Sequence, residues 1–116
     1  MLKIFISVGE HSGDLLGASL IRALKNELDT QYQIEFQGIG GPLMENEGFK
    51  SIFNYSLLSV MGIKDILINF LPILKILRQA SNYNLAWKPD LIITIDAPEF
   101  NLRLASRIRK KWKNVK

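Results

Sequence analysis

The stretch SVGEHSGDLLGASL, residues 7–20, decides the fold that the rest of the sequence follows. It begins at the end of an apolar and β-branched run, residues 2–8, which predicts a β-strand. Gly9 ends that run, and Asp14 opens the stretch 15–28, where leucine and alanine recur at helical spacing. The stretch therefore predicts a strand, a glycine-containing turn and a helix.

A second unit of the same kind follows. Residues 33–37 alternate between polar and apolar before the glycine-rich turn GIGGP at 38–42, which predicts a second strand and turn. Pro42 suits the first turn of a short helix that runs to Glu47. Residues 51–53 predict a short third strand.

The clearest strand is LIITI, residues 91–95, and its nearly continuous apolar run predicts a strand buried on both faces. Residues 100–112 then return to a helical pattern. Strands that alternate with helices predict right-handed βαβ units. We therefore expect an α/β fold, a Rossmann-like parallel sheet with flanking helices, in one domain that spans residues 1–116.

Composition excludes several classes of protein. The 116 residues contain no cysteine and a single histidine, His11, so disulfides, thiolate metal sites and histidine-rich zinc sites are excluded, and we expect no metal. The apolar start is too short for a signal peptide, which predicts a cytoplasmic protein. Arg103–Lys116 holds 7 of the 15 basic residues and no acidic one, so the charge of +4 is concentrated in a basic patch.

Three polar or glycine-rich turns, 9–14, 38–42 and 96–101, follow predicted parallel strands. Ligands of open parallel sheets bind at the carboxyl ends of the strands, so we expect these turns to form one site. The glycines at 9, 13 and 17 match neither the dinucleotide fingerprint nor a P-loop, which disfavours nucleotide binding through a glycine loop.

Asp96 is the strongest candidate for chemistry. It ends the apolar strand and precedes Ala97–Pro98, so it is either a general base on a hydroxyl or a helix or turn cap. Asp14 is favoured as the N-cap of its helix. For Glu10, binding of sugar hydroxyls and simple exposure remain open, and His11 is more typical of an exposed loop residue than of an acid–base catalyst.

The segment 62–83 contains more apolar residues than one face of a helix can hold. Pro72 and the charged residues within it disfavour a membrane-spanning helix, and two interpretations remain open: a core helix kinked at Pro72, or a helix that lies in a bilayer surface. In the second interpretation the predicted membrane-contacting residues are Ile63, Ile66, Leu67, Ile68, Phe70, Leu71, Leu74, Ile76 and Leu77.

Four ordered motifs resemble the lipid A disaccharide synthases. They are SVGEHSGDLLGASLIRAL, GIGGPLMENEGF, SVMGIKDIL followed by LPILKILRQ, and KPDLIITIDAPEFNLRLA, and together they cover essentially the whole chain. Two departures are small. His11 stands where the family often has a small residue, and Glu99 replaces the second Asp of the family's DAPDFN block.

This resemblance implies the N-terminal, acceptor-side domain of a two-domain GT-B glycosyltransferase that is inverting and uses neither metal nor cofactor. The family transfers 2,3-diacylglucosamine from UDP-2,3-diacylglucosamine to 2,3-diacylglucosamine 1-phosphate through a β(1→6) linkage, in lipid A biosynthesis. Its members act at a membrane surface, so we expect a peripheral protein on the inner face of the bacterial inner membrane, with no nucleic-acid partner.

The resemblance also suggests which residues form the site. Asp96 is the predicted catalytic residue, and the predicted substrate-binding residues are Gly9, Glu10, Ser12, Gly13, Asp14, Gly41, Met61 and Asn101. Because the family's nucleotide-sugar pocket lies mainly in a C-terminal domain, we expect the isolated chain to be inactive without a separate C-terminal half. The alternatives are a non-catalytic membrane-binding remnant and, less favoured, a flavodoxin-like nucleotide-binding module.

Overall fold

The computed structural model describes residues 1–28, 33–56, 71–96 and 98–116. Strands and helices alternate along the chain, as the sequence predicts. The elements are β1 (Leu2–Val8), α1 (His11–Leu28), β2 (Ile34–Gly40), α2 (Pro42–Asn46), β3 (Lys50–Asn54), α3 (Leu71–Trp87), β4 (Leu91–Ile95) and α4 (Pro98–Lys111).

Within the described residues the four strands form one parallel sheet in the order β3-β2-β1-β4. β1 lies between β2 and β4, and Ile4 is paired with Phe36 on one side and Leu91 on the other. This central position explains the composition of β1, because a strand with helices over both faces is buried throughout and favours apolar residues. The predicted α/β fold with a parallel sheet is confirmed.

Side chains of β1 point alternately to two cores, because successive residues of a strand face opposite sides of the sheet. Ile4, Ile6 and Val8 pack with buried residues of α1 and α2. Phe5 packs on the other face with buried residues of α3 and α4. The second core contains Phe5, Ile39, Ile76, Leu77, Ala80, Phe100, Leu104, Ile108 and Val115.

Two predicted membrane-contacting residues belong to this second core. Ile76 is 8% exposed and Leu77 is 4% exposed, so the prediction that they contact lipid is wrong. The helix α3 packs both on the sheet and against α4, and a helix with two protein neighbours buries a wider stripe than one face. Leu74 is half-buried, and Leu71 is the first residue of α3.

The remaining predicted membrane-contacting residues, Ile63, Ile66, Leu67, Ile68 and Phe70, lie outside the described residues, as does Met61. Among the helices that the structure describes, none combines the length and the hydropathy needed to cross a bilayer.

The strand β4 is less buried than its sequence predicts. Leu91 is 38% exposed, Thr94 is also exposed, and the three isoleucines are half-buried. Ile92 packs on one core and Ile93 and Ile95 on the other, so both faces of β4 are covered in part, but the expectation of full burial is wrong. The reason is position, because β4 is at the edge of the sheet among the described residues, and only its β1 side is covered by another strand.

Candidate functional site

The three predicted turns meet at the carboxyl edge of the sheet. Val8 at the end of β1 is paired with Ile95 at the end of β4, so Gly9 and Asp96 emerge side by side. The backbone N–H of Gly9 donates a 2.5 Å hydrogen bond to Oδ1 of Asp96. The turn after β2 joins the same edge through Gly41, whose Cα faces the carboxylate of Asp14.

Asp96 adopts a backbone conformation that is rare outside glycine. Its φ is +55°, in the left-handed region, where aspartate is tolerated better than most residues. The side-chain amide of Asn101 donates a 2.8 Å hydrogen bond to the carbonyl oxygen of Asp96 and longer ones to the carbonyls of Ser7 and Ile95. The turn is thus held in a conformation that directs the Asp96 carboxylate back toward β1 and α1.

The carboxylate of Asp96 lies against the start of α1. A Cβ atom placed on Gly13 would overlap Oδ2 of Asp96, so only glycine at this position allows the carboxylate to approach the first helical turn. The N-terminus of a helix carries a partial positive charge and stabilises a nearby anion. Asp96, which follows β4, therefore lies at the N-terminus of α1. This position is compatible with both interpretations of the residue, a cap and a general base.

The environment of Asp96 raises its pKa above the ordinary value of 3.8. Removal of the carboxylate from water is the main cause, and the negative charge of Glu10 acts in the same direction. The nearby backbone amides, that of Gly9 first among them, act in the opposite direction. A carboxylate with a raised pKa holds a proton more strongly than an exposed one, which suits a group that must accept a proton from a hydroxyl.

Asp14 does not cap its own helix. The first backbone hydrogen bond of α1 runs from Asp14 N to Glu10 O, so Glu10 occupies the N-cap position and Asp14 lies inside the helix. The Asp14 carboxylate instead accepts hydrogen bonds from Leu43 N (3.1 Å) and Met44 N (3.0 Å), in the first turn of α2. Asp14 is fully buried and joins α1 to α2, so the expectation that it is the N-cap of its own helix is wrong, and its contact with substrate stays a prediction.

Asn101 also makes its described contacts within the protein. It is 3% exposed, and its amide group is directed at backbone carbonyls of β1 and of the turn after β4. In this structure it holds those two strand ends together, and its contact with substrate stays a prediction.

Unpaired polar atoms lie around this amide. Among the described residues, Ser7 Oγ, Asp96 Oδ2 and Asn101 Oδ1 are buried without a hydrogen-bond partner. Such atoms are uncommon in native proteins and often receive a water molecule or a ligand group. Ser7 was missed in the sequence, although a polar residue within the buried run of β1 was the available signal.

The groups that remain accessible at this edge are the exposed residues Glu10, His11 and Ser12. Gly9, Gly13 and Gly41 are buried and shape the turns. The structure thus brings together all the predicted substrate-binding residues that it describes. Of these, Glu10 and Ser12 present side chains to solvent.

Comparison with known proteins gives one consistent result. Residues 4–116 match the family model described as lipid-A-disaccharide synthetase. The chain is 44% identical over 108 residues to the lipid-A-disaccharide synthase of Chromohalobacter salexigens. It is 45% identical over 107 residues to that of Neisseria meningitidis and 45% identical over 108 residues to that of Francisella philomiragia.

These matches cover 92–93% of the present chain but only 27–28% of each relative. The chain therefore spans little more than a quarter of the length of the curated relatives that it matches.

We predict that Gly13→Ala destabilises the fold through Asp96. In a double-mutant cycle with Asp96→Ala, the two substitutions should couple by on the order of 1–3 kcal/mol, because the new methyl group is harmful mainly when the carboxylate is present. Thermal and urea unfolding measure the coupling. The matched control is Gly17→Ala, also in α1, where the three atoms nearest to a new Cβ belong to the buried side chain of Met44 and not to Asp96. Additive effects of Gly13→Ala and Asp96→Ala would contradict the contact.

Proposed function

Because the chain belongs to the lipid-A-disaccharide synthetase family, we propose that it forms the acceptor-side part of an inverting glycosyltransferase. The proposed donor is UDP-2,3-diacylglucosamine, and the proposed acceptor is 2,3-diacylglucosamine 1-phosphate. The observation that carries the proposal is the half-buried Asp96 carboxylate with a raised pKa, held at the meeting point of the three turns. No metal or cofactor is part of the proposal.

In the proposed reaction Asp96 is the general base. Its Oδ1 remains hydrogen-bonded to the N–H of Gly9, which fixes the orientation of the carboxylate. The acceptor's 6-hydroxyl would approach the half-buried carboxylate from the exposed side of the turn, where Glu10 and Ser12 lie. As the Asp96 carboxylate takes the hydroxyl proton, the hydroxyl oxygen bonds to the anomeric carbon, and the bond to UDP breaks with its electron pair leaving on UDP. The attack from the opposite side inverts the anomeric configuration.

The exposed residues of the α1 turn are proposed to orient the acceptor. Glu10 and Ser12 can bind sugar hydroxyls, since a carboxylate accepts and a serine hydroxyl both donates and accepts hydrogen bonds. Both lie within three residues of Gly9 and therefore beside Asp96. The donor nucleotide would be bound mainly by the part of the synthase that the relatives possess beyond the matched region. This division explains why the isolated chain is expected to be inactive.

We also propose that the chain works at a membrane surface. The exposed side of α3 carries Lys75 and Arg78 next to the half-buried Leu74, and these residues with Gln79 line a groove of about 360 Å³. Two cations beside an apolar floor suit an anionic lipid headgroup and the start of its acyl chain. Since Ile76 and Leu77 belong to the core, the docking surface in the described part of α3 is limited to this groove.

The first test replaces the matched region of the Chromohalobacter salexigens synthase with the present chain. We expect the chimera to release UDP from the two lipid substrates, and Asp96→Asn to lower kcat roughly 10²–10⁴-fold, because an amide cannot accept the proton. The control is Asp90→Asn, at the opposite end of β4. An inactive chimera would favour the non-catalytic remnant. Unchanged turnover in Asp96→Asn would limit Asp96 to capping.

The second test concerns the groove on α3. Lys75→Gln with Arg78→Gln should weaken binding to vesicles that contain anionic lipid by roughly 30-fold, since each base near such a surface contributes about 1 kcal/mol. Vesicle co-sedimentation at several salt concentrations measures the effect. The matched control is Lys110→Gln with Lys111→Gln, two exposed bases on α4. Equal losses in the two pairs would indicate general electrostatic attraction and contradict a specific contact at α3.

A further inference from the structure

Tyr55 lies at the same edge of the sheet as the candidate site, although no motif in the sequence points to it. It follows β3 directly, and its backbone N–H donates a 2.9 Å hydrogen bond to the carbonyl oxygen of Gly40 at the end of β2. Oδ1 of Asn54 accepts a 2.9 Å hydrogen bond from the N–H of Ser56, so hydrogen bonds hold the backbone on both sides of Tyr55. The end of the sheet therefore determines where the Tyr55 side chain lies.

The ring of Tyr55 lies across the ends of the strands. It packs against both hydrophobic cores, which lie on opposite faces of the sheet, and a side chain can do this only where the sheet ends. A Cβ atom on Gly41 would overlap both Cε1 of Tyr55 and Oδ2 of Asp14, so the ring edge lies beside the carboxylate that joins α1 to α2. Tyr55 is only half-buried, and part of the side chain remains in contact with solvent.

Tyr55 and Asp96 flank the first turn of α1. Asp14, beside the Tyr55 ring, directly follows Gly13, which lies beside the Asp96 carboxylate. Neighbouring strands of a sheet are about 4.8 Å apart, so a ring over the end of β2 and a carboxylate bonded to the end of β1 are roughly 5–10 Å apart. This gap is wide enough for one hexose ring.

The groups around the gap suit a sugar. A hexose has hydroxyl groups around its rim and C–H groups on its faces, and the partial negative charge of an aromatic face attracts such C–H groups. Glu10 and Ser12 are exposed at the same turn and can form hydrogen bonds with the hydroxyl groups. Small-molecule sites commonly combine aromatic surface with a few polar groups in this way.

We propose that the ring of Tyr55 is a stacking surface for the sugar ring of the acceptor. The inference rests on the proposed function, because it concerns the acceptor of the same site. The C–H face of the glucosamine ring packs on the exposed part of Tyr55, and its 6-hydroxyl extends toward Asp96. Tyr55 contributes to binding and takes no part in proton transfer. The alternative, which the experiments must separate, is a structural Tyr55 that only covers Asp14.

The first experiment uses the chain itself and N-acetylglucosamine 1-phosphate, which has the acceptor's sugar and phosphate without its long acyl chains. The chain contains three tyrosines, so isotope labelling of the tyrosine rings gives few NMR signals, and Tyr55→Phe identifies those of Tyr55. We expect these signals to shift saturably as the sugar phosphate is added. The ring signals of Tyr83, which lies next to Phe5 and Trp87, should not shift. Inorganic phosphate is the control ligand.

The second experiment measures the kinetics of the chimera. Tyr55→Met removes the aromatic face but keeps a long apolar side chain, and it should raise the KM for the acceptor roughly 3–10-fold without changing the KM for the donor. Tyr55→Phe keeps the ring and should restore the KM for the acceptor. The matched control is Phe53→Met, which alters an aromatic residue of β3 that packs on one core alone and should leave the KM for the acceptor unchanged.

Thermal melting establishes whether Tyr55→Met is folded, and the titration of the unaltered chain keeps the test decisive if it is not. Tyr55 signals that do not shift, or that shift equally with inorganic phosphate, would overturn the proposal. Equal increases in the KM for the acceptor in Tyr55→Met and Phe53→Met would indicate a structural effect and would also overturn it. An inactive chimera together with saturable shifts at Tyr55 would contradict the proposed reaction and support the sugar-binding surface, so the two failures are distinguishable.

Discussion

The approach of the Asp96 carboxylate to the start of α1 is the contact on which the site depends. It joins the end of β4 to the end of β1, since Oδ1 accepts the N–H of Gly9 while Oδ2 occupies space that only glycine at position 13 leaves free. The left-handed backbone of Asp96 is maintained by the buried amide of Asn101. Partial desolvation and the negative charge of Glu10 raise the pKa of a side chain held in this way.

Asp14 is a second carboxylate that lies at the start of a helix, in this case α2. Asp14 satisfies two backbone N–H groups at the start of α2, and helix N-termini leave such groups without intrahelical partners. Each acid thus stabilises the beginning of a helix that is not its own. At this edge of the sheet Asp14 and Asn101 hold the turns by hydrogen bonds, and Glu10 and Ser12 are exposed and can contact a ligand. Substitutions at the first pair should act through structure, and those at the second pair through binding.

The local features of the fold could be predicted from the sequence, because they depend on patterns within one element. The apolar run of β1, the glycine turn after it and the periodicity of α1 are of this kind. The partners of Asp14 could not be predicted, because Leu43 and Met44 lie 29 and 30 residues further along the chain. Residues 76 and 77 were assigned to the wrong environment, since a helix packed between a sheet and another helix buries more than one face. The exposure of β4 could not be predicted, because an apolar sequence indicates that a strand is buried but does not show which neighbouring element covers it. Asp96 could be selected as a candidate from its place after an apolar strand, but its contact with Gly13 could not be predicted without the fold.

Asp96 is a partly desolvated carboxylate that lies against α1 and binds a proton more strongly than usual. Carbon-detected NMR titration of the Asp96 carboxyl group in the folded chain tests this claim directly. We expect a midpoint above 3.8 and a simultaneous shift of the Gly9 amide proton. A carboxyl group whose pKa is raised in the folded state contributes to the free energy of unfolding at low pH, and this contribution is lost as the pH rises through its titration. Asp96→Asn should therefore reduce this loss. A midpoint at or below 3.8, with no response at Gly9, would contradict the account.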